Sequence, residues 1–322
     1  MILDYGSPYD GYSRTPLRVA LAAISGIVFF MEAYSVAEMT RDSHYAHAAG
    51  PLHLLPNHPA SAWLVFALIT LGLVMLAIDR FSTIAGTWAI AWMSVLSQWQ
   101  RELFGTPSRN SFFPGVMLFG WVLGLVWARA VAGKDAEKPE GRVFRERIAE
   151  VGAMACIAAG YTSSALSKLF AAGFDWINSN QVRWLVLAQE PLGQWPWLVA
   201  YRNLVIESPR VAWFSAFMTI VIEGGGFFLL FGPRSRLLWT VMIWALHINI
   251  ILLCVMPYLE PMALLLVFAL PWPRIFRRPR THDPLLERRP ELVRPDMPDA
   301  MWLILTAIVV LAWVLPIGWR AG

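Results

Sequence analysis

The sequence predicts an all-α fold: a polytopic transmembrane helical bundle of about nine spanning segments, with its N-terminus in the cytoplasm. Three observations carry this. Hydrophobic residues make up 57% of the 322 residues and charged residues only 15%, at a mean hydropathy of +0.52, and apolar runs recur at the length a bilayer core requires. The stretches between them are too short for a separate soluble catalytic domain, so residues 1–322 read as a single membrane domain. Lys and Arg also concentrate in alternate loops, as the positive-inside rule demands.

In order, the spanning segments are expected at about 17–38, 61–79, 82–99, 112–132, 148–172, 211–231, 237–256, 259–273 and 300–318. The third and eighth are short, and Glu260-Pro261 at the start of the eighth suggests a re-entrant or strongly tilted segment. The basic stretches 132–147 and 274–298, together with Arg234 and Arg236 between the sixth and seventh segments, fall on one face, assigned as cytoplasmic. About 18 of the 26 Lys and Arg then share that face, which makes the net charge of +4 a topology signal and argues against a nucleic-acid partner. The Arg/Pro-rich loop 274–298 reads as a tether or a contact with lipid headgroups.

The loops 39–60, 100–111 and 173–210 are then outside. Within the last, the run 182–187 is apolar apart from Arg183 and suits an interfacial helix. Trp63, Trp99, Trp176, Trp195, Trp197 and Trp272 sit near expected segment ends, where indole rings anchor at the interface. Cys156 and Cys254 lie in apolar segments without metal-ligand spacing and read as small core residues. The polar N-terminus does not read as a cleaved signal peptide.

Polar residues inside the apolar segments are the candidates for chemistry. Tyr161, Ser164 and Lys168 are spaced i, i+3, i+7 and share one helix face. Lys168 is the only Lys or Arg well inside an apolar segment. An ammonium is costly there, so Lys168 either snorkels to the outer surface or serves as a desolvated base. Glu223 precedes three glycines that allow close backbone approach or a break in the helix, and Arg234, Arg236 or His247 are its candidate partners. His247, Asn249 and Glu32 suit interhelical hydrogen bonds. In loop 39–60, His44, His47, His53 and His58 form a histidine cluster beside Glu38 and Asp42, and His44 and His47 are spaced i, i+3. No cysteine pattern or HExxH accompanies them, so a bound metal is not the expectation.

From Tyr161 onward the chain resembles a known family. Tyr161, Ala165-Leu166-Ser167-Lys168-Leu169 and Asp175-Trp176 resemble the Y…A…KL…DW stretch of vitamin K-dependent gamma-glutamyl carboxylase and its bacterial relatives, the HTTM-domain membrane proteins. Arg109-Asn110-Ser111-Phe112 resembles the family's N/H-S-Y/F element, and the run from Glu223 through Pro233-Arg234 to Leu246-His247-Ile248-Asn249 resembles its E…P.R…FH..N region. Gly50-Pro51-Leu52, with Arg14 and Arg18, resembles its N-terminal portion. The resemblance implies an integral enzyme of a bacterial inner membrane with carboxylation or oxygenation chemistry. Lys168 would be the base acting on reduced vitamin K or a related quinone. Tyr161, Asn110 and His247 would orient or assist, and Glu223, Asn249 and Trp176 would surround the cofactor. Ser167 stands where the family has a second lysine, and Asn110 stands where it has a histidine. No counterpart of the lumenal peptide-binding domain is seen, so the expected substrate is small or lipid-soluble.

Two other functions fit the same sequence. One is a non-enzymatic membrane subunit for maturing or exporting a peptide. The other is a metal-dependent membrane oxidoreductase using the outer-loop histidines. In each, membrane lipids surround the chain.

Overall fold

The computed structural model describes residues 12–41, 55–104, 111–277 and 284–288. The described residues are helical and contain no strand. Five stretches, Thr15–Met39, Pro59–Ala77, Phe112–Glu137, Pro209–Leu230 and Pro233–Cys254, are long and apolar enough to cross a membrane. The chain is therefore an integral membrane protein built of helices. The segment expected at 300–318, the residues Asn110, His44, His47 and His53, and most of the loop 274–298 lie outside the described residues.

The helices pack as two compact units. One, described within 12–154 and 271–288, holds α1 (Thr15–Met39), α2 (Pro59–Ala77), α3 (Ser82–Phe104), α4 (Phe112–Ala132) and the first half of α5 (Arg142–Ala172). Small residues set its close approaches: a Cβ on Gly72 would stand 2.8 Å from the Ala85 carbonyl oxygen, and one on Gly124 would run into the backbone of Ile148 and Ala149. One end of this unit is a buried charge network. Arg14 pairs with Glu150 at 2.7 Å and Arg18 pairs with Glu146, all four being almost fully buried. Asp79 receives Arg18 and Arg142 at 3.3 Å and Arg145 at 2.8 Å. Charges withdrawn from water persist only when each finds opposite charge and hydrogen bonds, and here the pairing is mutual.

That network corrects one expectation. The stretch Arg142–Arg147 reads as cytoplasmic loop because it is charged, yet α5 begins at Arg142 and runs for 31 residues. Its charges are spent on partners from α1 and the α2–α3 turn, so the charged sequence is helical. α3 also continues to Phe104, beyond the expected 99, so Trp99 lies within the helix, buried, and its Nε1 donates to Asn57 Oδ1 at 3.3 Å.

The other unit, described over Ala155–Leu270, holds the second half of α5, then α6 (Ser179–Leu187), α7 (Pro196–Glu207), α8 (Pro209–Gly224), α9 (Pro233–Cys254) and α10 (Leu259–Ala269). A helix does form over the run 182–187, as α6: Val182 and Val186 turn inward while Trp184 and Leu187 stay exposed. α7 was not expected, although Pro196 in its first turn is a start signal. α6, α7 and α8 share a core of Val182, Val186, Val205, Ala212 and Ala216 with Leu253 of α9. Arg202 is buried beside it and donates to three carbonyls, those of Val186 at 2.7 Å, Gln189 at 2.6 Å and Leu253. α8 stops at Gly224 and tightens into a 3-10 turn over Gly225–Leu230. There a Cβ on Gly226 would lie 2.7 Å from Tyr161 Cβ and 2.9 Å from the Ala158 oxygen, so the glycine run both ends the helix and presses the turn onto α5. α10 ends at Ala269, short of the expected 273, because Leu270 is extended ahead of Pro271.

Candidate functional site

Two pairs of protonatable side chains meet inside the second unit. On α5, Lys168 Nζ donates to Ser164 Oγ at 3.0 Å and forms an ion pair with Glu223 Oε2, which α8 delivers one residue before its end. The Lys168 side chain is 25% exposed and that of Glu223 10%. Past the end of α5, Gly173 adopts φ +57°, a conformation that suits glycine, and turns the chain into the 3-10 turn Gly173–Ile177. This turn returns the Trp176 ring to 5.2 Å from the Lys168 nitrogen, a cation–π contact that covers the ammonium.

About two turns back along α5, Tyr161 OH lies 2.7 Å from His247 Nε2 of α9, and both residues are buried. The imidazole also packs on the Tyr258 ring, centroid to centroid 5.3 Å. If the phenol donates to Nε2, the hydrogen of the neutral imidazole sits on Nδ1. Among the described residues that Nδ1 is buried without a hydrogen-bond partner, and so is Glu260 Oε1.

Of the residues expected at the site, Lys168, Ser164, Glu223 and Trp176 form one contact group and Tyr161 and His247 the other. The partner of Glu223 is Lys168, not Arg234, Arg236 or His247. Arg236, in the first turn of α9, is buried and donates to the Leu229 carbonyl at 3.1 Å, so it serves the turn between α8 and α9. Asn249 accepts the Tyr201 hydroxyl at 2.5 Å and ties α7 to α9; burial pushes the Tyr201 phenol up. Glu32 accepts from Ser97 at 3.4 Å within the other unit. His58 caps α2, its Nδ1 accepting from the Ala60 amide at 3.1 Å. No group of three or more His, Cys, Asp or Glu is placed to hold a metal among the described residues.

Glu260 and Arg202 were missed as functional or structural centres. Glu260 carries the same signal as Glu223, a carboxylate in an apolar run, but its place beside Pro261 equally suits a tilted helix start. Arg202 was hidden in a stretch expected to be loop. Comparison of the chain with protein-family models, curated proteins and solved structures finds no match.

Proposed function

We propose that the protein is a membrane enzyme that takes a proton from a small, lipid-soluble substrate at Lys168, with reduced vitamin K or a related quinone as the molecule suggested by the family resemblance. The observation that carries this is the direct Lys168–Glu223 pair under the Trp176 ring, with the Tyr161–His247 pair about two turns back along α5. An ammonium and a carboxylate in contact exchange to amine and carboxylic acid by one proton transfer along an existing hydrogen bond. Glu223 thus holds the proton that Lys168 must shed, which leaves a neutral amine to take the substrate's proton; the ammonium so formed then lies beside the substrate anion. The buried Nδ1 of His247 and Oε1 of Glu260 fit a hydroxylated ring, since each lacks a polar partner among the described residues. A quinol supplies ring hydroxyls and reducing electrons. His247 and Tyr161 would orient one hydroxyl, and Trp176 would keep water from the amine. Asn110 and Asn249 complete the set that the resemblance implies.

The same proposal takes nine spans and a cytoplasmic N-terminus on the strength of the alternating Lys/Arg loops, and the bacterial inner membrane on that of the resemblance. A non-enzymatic role in peptide maturation or export is the second reading. It is favoured by the mutual neutralisation of Lys168 and Glu223, which is also what a purely structural pair achieves. The metal-dependent reading would rest on His44, His47 and His53, outside the described residues, and on His58, which already caps α2.

The test uses the full chain in lipid nanodiscs, supplied with reduced vitamin K, oxygen and bicarbonate. Wild type is expected to carry extractable quinone and to consume the reduced form. Lys168→Met should retain the quinone while losing at least about 100-fold in turnover. Equal turnover by wild type and variant removes the base assignment. A wild type that neither holds nor consumes quinone, but purifies with a stoichiometric partner, replaces the enzyme by the subunit.

A further inference from the structure

A second site lies within the same unit but apart from the lysine chemistry. Between the turn after α5 and the start of α8 is an open cleft of about 760 Å³, within the size range of small-molecule sites. Its walls include Phe174, Trp213 and Phe214, which are 84%, 49% and 57% exposed. Its polar lining includes Asp175, Asn178 and Arg210. Among the described residues, neither the Asp175 carboxylate nor the Arg210 guanidinium has an ion-pair partner.

The position of the cleft says what it faces. Arg210 is the second residue of the stretch Pro209–Leu230, which is long and apolar enough to cross a membrane, and Trp213 and Phe214 lie in its first turns. Charges at the end of such a stretch, with large rings directly below them, mark the boundary between headgroups and hydrocarbon. An occupant must therefore be amphiphilic. Asp175 and Arg210 are both exposed and neither is paired within the described residues, so an occupant carrying both signs of charge complements the cleft. The carboxylate is an acceptor only, so the positive end of the occupant is best met as an N–H donor, which a primary ammonium provides and a quaternary one does not.

We propose that this cleft binds the headgroup of an amino-phospholipid. Its phosphate lies on Arg210, its primary ammonium on Asp175, and its glycerol and first acyl carbons against Phe174, Trp213 and Phe214. The bound lipid then sits one residue from Trp176, the ring that covers Lys168. The assignment does not depend on Lys168 acting as a base.

The test is native mass spectrometry of the delipidated full chain in detergent, titrated with phosphatidylethanolamine, phosphatidylcholine and phosphatidylglycerol of identical chains. Phosphatidylethanolamine is expected to bind about tenfold more tightly than phosphatidylcholine, the worth of one charge-assisted hydrogen bond. Asp175→Asn should bring it down to the phosphatidylcholine level without weakening phosphatidylcholine, and Arg210→Gln should weaken all three. Lys168→Met should keep the wild-type preference, which separates this site from the proposed catalytic one. Equal binding of the three lipids by wild type, or an unchanged preference in both Asp175→Asn and Arg210→Gln, reduces the cleft to ordinary annular lipid and overturns the assignment.

Discussion

Lys168 on α5 and Glu223 at the end of α8 are ion-pair partners separated by 55 residues of sequence. Neither is fully accessible to water, and each answers the desolvation of the other. Removing one leaves a charge in apolar surroundings, whereas removing both leaves none.

A double-mutant cycle on this pair should therefore be strongly non-additive. Lys168→Met and Glu223→Leu are each expected to cost about 1–3 kcal/mol, kept at the lower end by the partial exposure of Lys168, and the double variant should recover most of the loss. Thermal unfolding in detergent, followed by circular dichroism, measures it. Additive losses would mean that the two groups are not energetically coupled. Restored stability without restored turnover is the pattern expected of an enzyme.

Glycine spacing offers a contrast two residues wide. A Cβ on Gly224 meets only Ala165 Cβ at 3.6 Å, an ordinary contact, while one on Gly226 would strike Tyr161 Cβ and the Ala158 oxygen. Gly226→Ala is expected to destabilise by about 1–3 kcal/mol and Gly224→Ala to have little effect. Melting temperatures of the two variants check this, and a harmless Gly226→Ala would place the 3-10 turn farther from α5 than described.

In the other unit, Arg14 and Glu150 are 1% and 0% exposed. Glu150→Leu alone should cost about 3–5 kcal/mol by leaving a buried guanidinium, and Arg14→Leu with Glu150→Leu should be close to wild type. Chemical unfolding of the three proteins compares them directly, and a fully stable Glu150→Leu would show that water or another acid serves Arg14.

Arg202 should tolerate no conservative exchange. Lysine offers a point charge where three carbonyls from different segments are served by a planar fork. Arg202→Lys and Arg202→Met are both expected to raise amide exchange across α6 and α7, with little change in α9 beyond its last turn. Exchange unchanged in α6 would remove Arg202 from its proposed tie.

The apolar elements were legible because hydropathy and length suffice to mark them: α1, α2, α4 and α9 begin and end within a few residues of the expected bounds. What escaped was polar sequence made helical by distant partners. Arg142–Arg147 looks like loop until Arg18 and Arg14 are placed beside Glu146 and Glu150, 128 and 136 residues away. The face shared by Tyr161, Ser164 and Lys168 was readable from helical spacing, but the partner of Glu223 was not, since no local rule links α5 to the end of α8. Arg202 was beyond reach for the same reason.

That arginine also bears on how the chain acquires its shape. Two of the carbonyls it holds, Val186 and Gln189, are made before it, but the third, Leu253, follows 51 residues later. While α8 and α9 are still being synthesised, the guanidinium holds an incomplete set of acceptors. α6 and α7 are thus secured only after the last turn of α9 has arrived, and a chain arrested before Leu253 would leave that segment open to proteases.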